Sequence, residues 1–524
     1  MSDTQAPASS LGAPDKGLKG GALGLASSIV IGISATAPAY TVAASVGYIV
    51  LAVGVAAPAM LLLAFVPMMC VAVAFAQLNR VDPDCGTTFT WAARTFGPRT
   101  GWLGGWVMTA ASVVAMAYLA GIAGSYLLLL FGAEGLAASQ TWVTVVGVGL
   151  ISLMTLVCWR GIGISVWVQR VLLVVELIML AVFAVVALVK VATGHAPAGH
   201  ATPSLGWFNP LGVGSFGTLA AGLLVAIFVY WGWDSAVSVN EETEAPDRNP
   251  GRAAVISMAL LIGIFVLATV AAQAYAGVGA DGIGLGNEDT AADLLAVVGA
   301  AVLGSAWGKL LILAVLSSAI AALQTGILPT ARTVLSMATA RAVPASFARM
   351  NRRFQTPSVA TAVTGGATIV LFLGLSLLGG GKAAADAIAS IGLLIAFYYA
   401  LVGYTCVWQF RRVLTGSAKD LLLKGILPLF GAVTLTAVFV KSVWDMRSPD
   451  YGVTSIGGVG GVLLIGGGTI VLGALVMLGY SLARPAFFRA KLASPGSTGS
   501  ESPADIAALT ERQPLGPAVS DPAS

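Results

Sequence analysis

Apolar stretches recur along the chain from Gly21 to Ser481, separated by short polar intervals. A helix needs about 20 mostly apolar residues to cross the hydrocarbon of a bilayer. The pattern therefore predicts an all-α polytopic membrane protein with about twelve crossings. They lie near 21–48, 52–77, 101–131, 140–159, 164–190, 215–241, 253–278, 303–340, 358–379, 383–411, 423–444 and 455–481. Several exceed one plain crossing; tilt, breaks or extensions into water absorb the excess. No soluble-looking interval interrupts the series, so one membrane domain is expected over residues 20–482. Residues 1–19 are polar and lack the apolar core and cleavage site of a signal peptide. Residues 483–524 are rich in Pro, Ser, Ala and Gly, and both ends read as disordered.

Composition agrees with a bilayer as solvent. Charged residues make up 10% of the chain, against about 25% in soluble domains. Charge placement then orients the helices. With both ends in the cytoplasm, 22 of the 27 Lys and Arg fall inside. Only Lys190, Lys309, Lys382, Lys441 and Arg447 fall outside, the bias expected of cytoplasmic loops. A multi-pass protein of the cell (plasma or inner) membrane with cytoplasmic N- and C-termini is expected. Cys70 and Cys406 lie in helices, and Cys85 and Cys158 lie on the inner side, so no disulfide is expected. His195 and His200 share an external loop without other candidate ligands, so no metal site and no cofactor are expected. Neither tail offers a partner domain, and no nucleic-acid partner is expected; the partners are the lipid bilayer and a small-molecule substrate.

Two crossings carry helix-breaking sequence at membrane depth. In Ser27–Thr41, Gly32, Ser34, Thr36 and Pro38 interrupt an apolar run. Pro38 removes a backbone donor, and small polar residues can satisfy freed groups. In Ile227–Glu242, Gly232 lies among aromatics with Asp234 two residues on, and a carboxylate in a spanning segment is costly and by default functional. These are the first and sixth crossings, and an offset of five reverses direction. Paired breaks in oppositely oriented halves point to an inverted-repeat transporter with its site between them.

Three segments then carry a resemblance. Ala76–Trp106 holds an acidic turn, Pro, Gly, an aromatic, Phe-Gly and a Gly-Trp pair. Glu241–Ala253 reads EETEAPDRNPGRA, and Ala331–Ala360 holds Met-Ala, Arg, Pro and Thr-Pro-Ser. In this order and spacing the chain, over roughly 20–480, resembles the amino acid–polyamine–organocation permeases. The resemblance implies the LeuT-like fold: two inverted five-helix repeats, about 20–190 and 214–411, plus two peripheral helices at about 423–481. It implies alternating access and uptake or exchange of amino acids, polyamines or related amines. The chain departs from the family at the first break, where Ile33-Ser34-Ala35-Thr36-Ala37-Pro38 replaces a glycine-rich turn.

A site follows from the breaks. Ser34, Ala35 and Thr36 would offer N–H groups and hydroxyls to a substrate carboxylate, helped by a half-helix N-terminus. Tyr230, Trp231 and Gly232 would offer carbonyls to an ammonium, with Trp231 or Trp233 as a gate. Asp234 would attract an ammonium or hold the break open. Glu176, in the fifth crossing, is flanked by apolar residues and has no basic residue within four positions downstream. Such surroundings disfavour its ionised form, as suits a proton carrier. The resemblance places a lysine at this position in some proton-coupled relatives. Ser317 and Ser318 resemble oxygen ligands of sodium-coupled proteins of the same fold. Proton coupling is thus expected before sodium coupling, with Glu176, Ser317 and Ser318 as coupling residues. Gln324, Tyr398 and Tyr399 are further wall candidates. Glu241, Glu242, Glu244 and Asp247, with Arg248, Arg252, Arg332 and Arg341, read as a solvated helix end or as a charged gate, the former favoured.

No HExxH, GxSxG or phosphate-binding glycine loop occurs, so no enzyme is expected. Paired breaks and one isolated Glu suit an occluded site better than a channel. The particular amine, uptake against exchange, and the oligomeric state stay open, although Gly457–Gly468 would allow close helix contact.

Overall fold

A computed structural model describes residues 16–377 and 382–490. Most of the two expected disordered tails, residues 1–15 and 491–524, lies outside the described residues. At the inner edges of those tails, Lys16 and Phe487 are both buried.

Among the described residues, eleven helical stretches are long and apolar enough to cross a membrane. The first, Leu25–Val81, has 57 residues. As a straight rod it would reach about 85 Å, nearly three times a hydrocarbon core of about 30 Å. It turns back at Gly54, where φ is +56°, and so supplies two crossings. The twelve are helix one (Leu25–Ala35 and Pro38–Val53), two (Ala57–Val81), three (Pro98–Leu130), four (Gln140–Trp159), five (Ile162–Ala192) and six (Phe216–Val229, continued by short 3-10 turns). Then follow seven (Asn249–Ala276), eight (Ser305–Thr339), nine (Ser358–Leu377), ten (Lys382–Phe410), eleven (Ala418–Asp445) and twelve (Gly461–Ala483).

Packing carries the repeat. Helix three lies on eight, and two on seven. Five packs on seven and eight, while ten packs on two and three. The first half of one lies on seven, and six lies on two. Exchanging each helix for the one five places on returns the same set of partners. Five crossings is an odd number, so the two halves run in opposite directions. Helices eleven and twelve stand outside this pattern, against ten and against two or three.

Helix five shows how the pattern sets each face. Val171, Val174, Ile178, Val182, Val185 and Val189 are 39–59% exposed, at spacings of three and four that make one lipid-facing stripe. Leu173, Glu176, Leu180 and Phe183 face inward and are buried. One apolar helix, Leu294–Leu303, was not anticipated. Its ten residues are too few to cross, and it packs against helix eight and the second half of helix one.

Candidate functional site

Helix one stops at Ala35 because its next donors turn inward. The Thr36 N–H donates to Ile33 O at 3.1 Å and the Ala37 N–H to Ser34 O at 3.2 Å. The Thr36 hydroxyl also donates to Ile33 O, at 2.8 Å. Ala37 adopts a left-handed φ of 47°, and Pro38 opens the second half, where its missing N–H costs nothing. Two orphan donors follow. The Ala39 N–H donates to Glu176 Oε1 at 2.7 Å, and the Tyr40 N–H to Ser318 Oγ at 3.2 Å. Ser318 in turn donates to Glu176 Oε1 at 2.8 Å. Helices five and eight thus cap a half-helix inside the membrane.

Ser34 and Ala35 sit inside the helix, and the Thr36 N–H is taken; the free N–H groups belong to Ala39 and Tyr40 and meet protein. Ser34 Oγ is buried without a partner. Ser318 joins Glu176, whereas Ser317 donates to Ala314 O of its own helix at 2.9 Å. Glu176 Oε2 is buried and makes no hydrogen bond.

The second break meets the first. Gly232 has φ +116°, and a Cβ there would lie 2.5 Å from Ala35 O and 3.1 Å from Thr36 N. Only glycine suits both the conformation and the approach. Asp234 accepts from the Tyr399 hydroxyl at 2.9 Å and the Tyr398 hydroxyl at 3.2 Å. The Trp231 indole donates to Tyr398 Oη at 2.6 Å. The Tyr230 ring packs edge-on against Phe65 and Phe265 and its hydroxyl donates to Leu61 O, so the side chain braces helices two and seven. Trp233 is buried against Phe75 and Tyr399. Gln324 donates to Ser165 O and ties helix eight to five.

Two small cavities adjoin the breaks. One, of about 40 Å³, is bounded by Trp231, Gly232, Asp234 and Tyr398 and by helices three and eight. The other, of about 30 Å³, lies against Thr36, Ala37, Tyr40 and Phe228. Ala35, Ala115, Leu119, Trp231 and Ala322 border both, so the two cavities adjoin, each wide enough for a few waters. Ser112, Thr325, Gly326 and Pro329 also line the larger one and were not foreseen. Pro329 inside helix eight was the available signal, since an interior proline loosens a helix. Glu176 lies behind the break, outside both linings.

Toward the face that carries Lys16 and Arg489 stand two buried ionic clusters. Arg332 Nε meets Glu242 Oε2 at 2.6 Å and Nη2 meets Oε1 at 3.0 Å, with both side chains buried. Lys16 Nζ lies 2.9 Å from Asp84 Oδ1, 2.6 Å from Glu241 Oε1 and 3.3 Å from Ser336 Oγ. A solvated helix end describes Arg248, which is exposed, and Asp247, which is half-buried, but not Glu242. Burial works against the Lys16 ammonium, yet Cys85, Asp84 and Glu241 around it hold its pKa above the usual lysine range. Burial likewise opposes the Asp84 carboxylate, and Lys16 and Arg94 keep it ionised well below the usual range. Among the described residues, Asp84, Cys85 and Glu241 are the one trio close enough to share a cation; the Lys16 ammonium already sits among them.

Residues 22–457 match the family described as "Amino acid permease". The branched-chain amino acid permease BcaP of Lactococcus lactis is 24% identical over 218 residues, 38% of this chain and 44% of its own length. A Mycobacterium tuberculosis protein named as an uncharacterized transporter is 27% identical over 72% of this chain and 76% of its own. "Cationic amino acid transporter 2, vacuolar" of Arabidopsis thaliana is 26% identical over 62% of this chain and 49% of its own. The aligned part therefore spans about half or less of the Lactococcus and Arabidopsis proteins.

Proposed function

The chain belongs to the amino acid permease family, and from that premise we propose that it carries amino acids or related amines across the cell membrane by alternating access, as proton-coupled uptake. The observation that carries this reading is the backbone contact between the two breaks, Gly232 on Ala35 and Thr36, beside a cavity that reaches Asp234. Unwound backbone at membrane depth is tolerated where it lines a site. The Asp234 carboxylate suits an ammonium there, and Trp231, which borders both cavities, acts as the gate.

Glu176 supports a proton as the coupling ion. Its Oε1 holds the second half of helix one through Ala39 while Oε2 is unpartnered. Gaining or losing a proton there changes the grip on one side of the substrate space. Sodium draws less support: Ser318 is engaged by Glu176 and Tyr40, and Ser317 by its own helix. The positive-inside bias supports cytoplasmic termini.

The test is uptake into proteoliposomes of a panel of amino acids and polyamines under an inward proton gradient, an inward sodium gradient, or neither. Saturable accumulation under the proton gradient alone is expected. Accumulation under sodium alone would overturn the coupling, exchange only with preloaded substrate would make the protein an exchanger, and non-saturable flux would make it a channel.

A further inference from the structure

A groove of about 520 Å³ opens where the end of helix two meets the start of helix seven, bordered by Arg80, Arg248 and Arg252 and, toward the membrane, by Val255 and Ile256. From it we infer a binding site for one anionic phospholipid, its phosphate among the three guanidiniums and an acyl chain along helix seven. The inference rests on membrane placement and is independent of the transport reading.

Three arginines here face one carboxylate, Asp247, which pairs with its neighbour Arg248 at 3.3 Å. Arg80 and Arg252 are exposed and make no ion pair among the described residues. Helix stability does not account for two of the three. Arg248 stands immediately before helix seven and Arg252 in its first turns. Cations are disfavoured at the positive end of a helix, and like charges four residues apart repel. An anion in the groove removes both penalties.

The wall below is apolar and faces lipid. Ile256, Leu260 and Leu267 are 36%, 47% and 46% exposed and continue the stripe that begins at Arg252. A charged rim over an apolar track matches a phospholipid, whereas a soluble anion would use the rim alone. The floor is fixed. A Cβ on Gly251 would lie 2.8 Å from Ala76 Cα, Asn79 donates to Pro246 O at 2.7 Å, and Asn240 donates to Asn79 Oδ1 at 2.7 Å. The groove is therefore set between two packed helices, with the turn that carries Asp247 and Arg248 tied to helix two through Pro246.

The test is native mass spectrometry of the full-length protein in detergent, titrated with phosphatidylglycerol or phosphatidylcholine, with millimolar inorganic phosphate as competitor. Wild type should retain phosphatidylglycerol preferentially, and phosphate should not displace it. Arg80→Gln with Arg252→Gln should weaken retention about 30-fold. Arg411→Gln with Arg412→Gln, on the same face at the end of helix ten, should leave it unchanged. Ile256→Ser, at an exposed position, tests the acyl track and should also weaken retention. Equal retention of both lipids, an unaffected double variant, an equal loss in the control pair, or displacement by inorganic phosphate would each overturn the site.

Discussion

At the scale of single residues, Glu176 carries two duties that substitution can separate. Glu176→Gln keeps an acceptor for Ala39 and Ser318 but cannot exchange a proton. It should abolish accumulation driven by a pH gradient while exchange of preloaded substrate persists in proteoliposomes. Accumulation at the wild-type level would leave Glu176 as a cap alone. Glu176→Ala removes the cap as well, leaving a buried N–H and hydroxyl without an acceptor at about 1–3 kcal/mol, and thermal unfolding should shift down for Ala but not for Gln. Gly232→Ala acts on geometry instead. Its Cβ would sit 2.5 Å from Ala35 O at φ +116°, so the breaks must part, and substrate affinity measured by scintillation proximity should fall at least tenfold. Unchanged affinity would move the substrate away from this contact.

At the scale of elements, what local sequence could and could not reveal divides cleanly. The apolar runs marked twelve crossings, and Pro38 and Gly232 marked both breaks, because those signals are local in the chain. Glu176 and Asp234 stood out as lone carboxylates for the same reason. Their partners did not: Ser318 is 142 residues from Glu176 and Tyr399 is 165 from Asp234, and only packing brings them together. The packing of the Tyr230 side chain was not legible either, because the direction of a side chain just before an unwound turn depends on how far the helix rotates. The segment after helix two carries a measurable consequence. Burial pushes Asp82 up to about 6, against the pull of Arg94, from an ordinary value of 3.8. An acid raised on folding binds more protons folded than unfolded between about pH 4 and 6. Its contribution thus favours the folded state in acid and is lost as pH rises through about 6. Asp82→Asn removes that dependence, so its unfolding temperature should change less between pH 5 and 7.5 than that of wild type. An identical pH response in both would show that Asp82 does not titrate in this range.

At the scale of the molecule, the proposed alternating access requires that one face be closed by contacts that can be released. Lys16 is the candidate, since one ammonium joins Asp84 after helix two, Glu241 after helix six and Ser336 on helix eight. Removing one partner from such a buried cluster costs about 3 kcal/mol, enough to move a two-state population about 100-fold. Cys85 supplies a native reporter, because it is fully buried beneath Lys16 and within 3.5 Å of Nζ. Burial and the neighbouring Glu241 push its thiol well above the ordinary range, while Lys16 pulls the other way. If Lys16→Ala left the face closed, loss of that cation would make Cys85 still less reactive, because the thiolate is the nucleophile. Faster labelling by a membrane-impermeant maleimide therefore reports opening and not charge. The other three cysteines are buried as well, and Cys85→Ser in the same background assigns the signal. Labelling at least tenfold faster in Lys16→Ala is expected; slower or unchanged labelling would mean that Arg332 and Glu242 hold the face closed without Lys16.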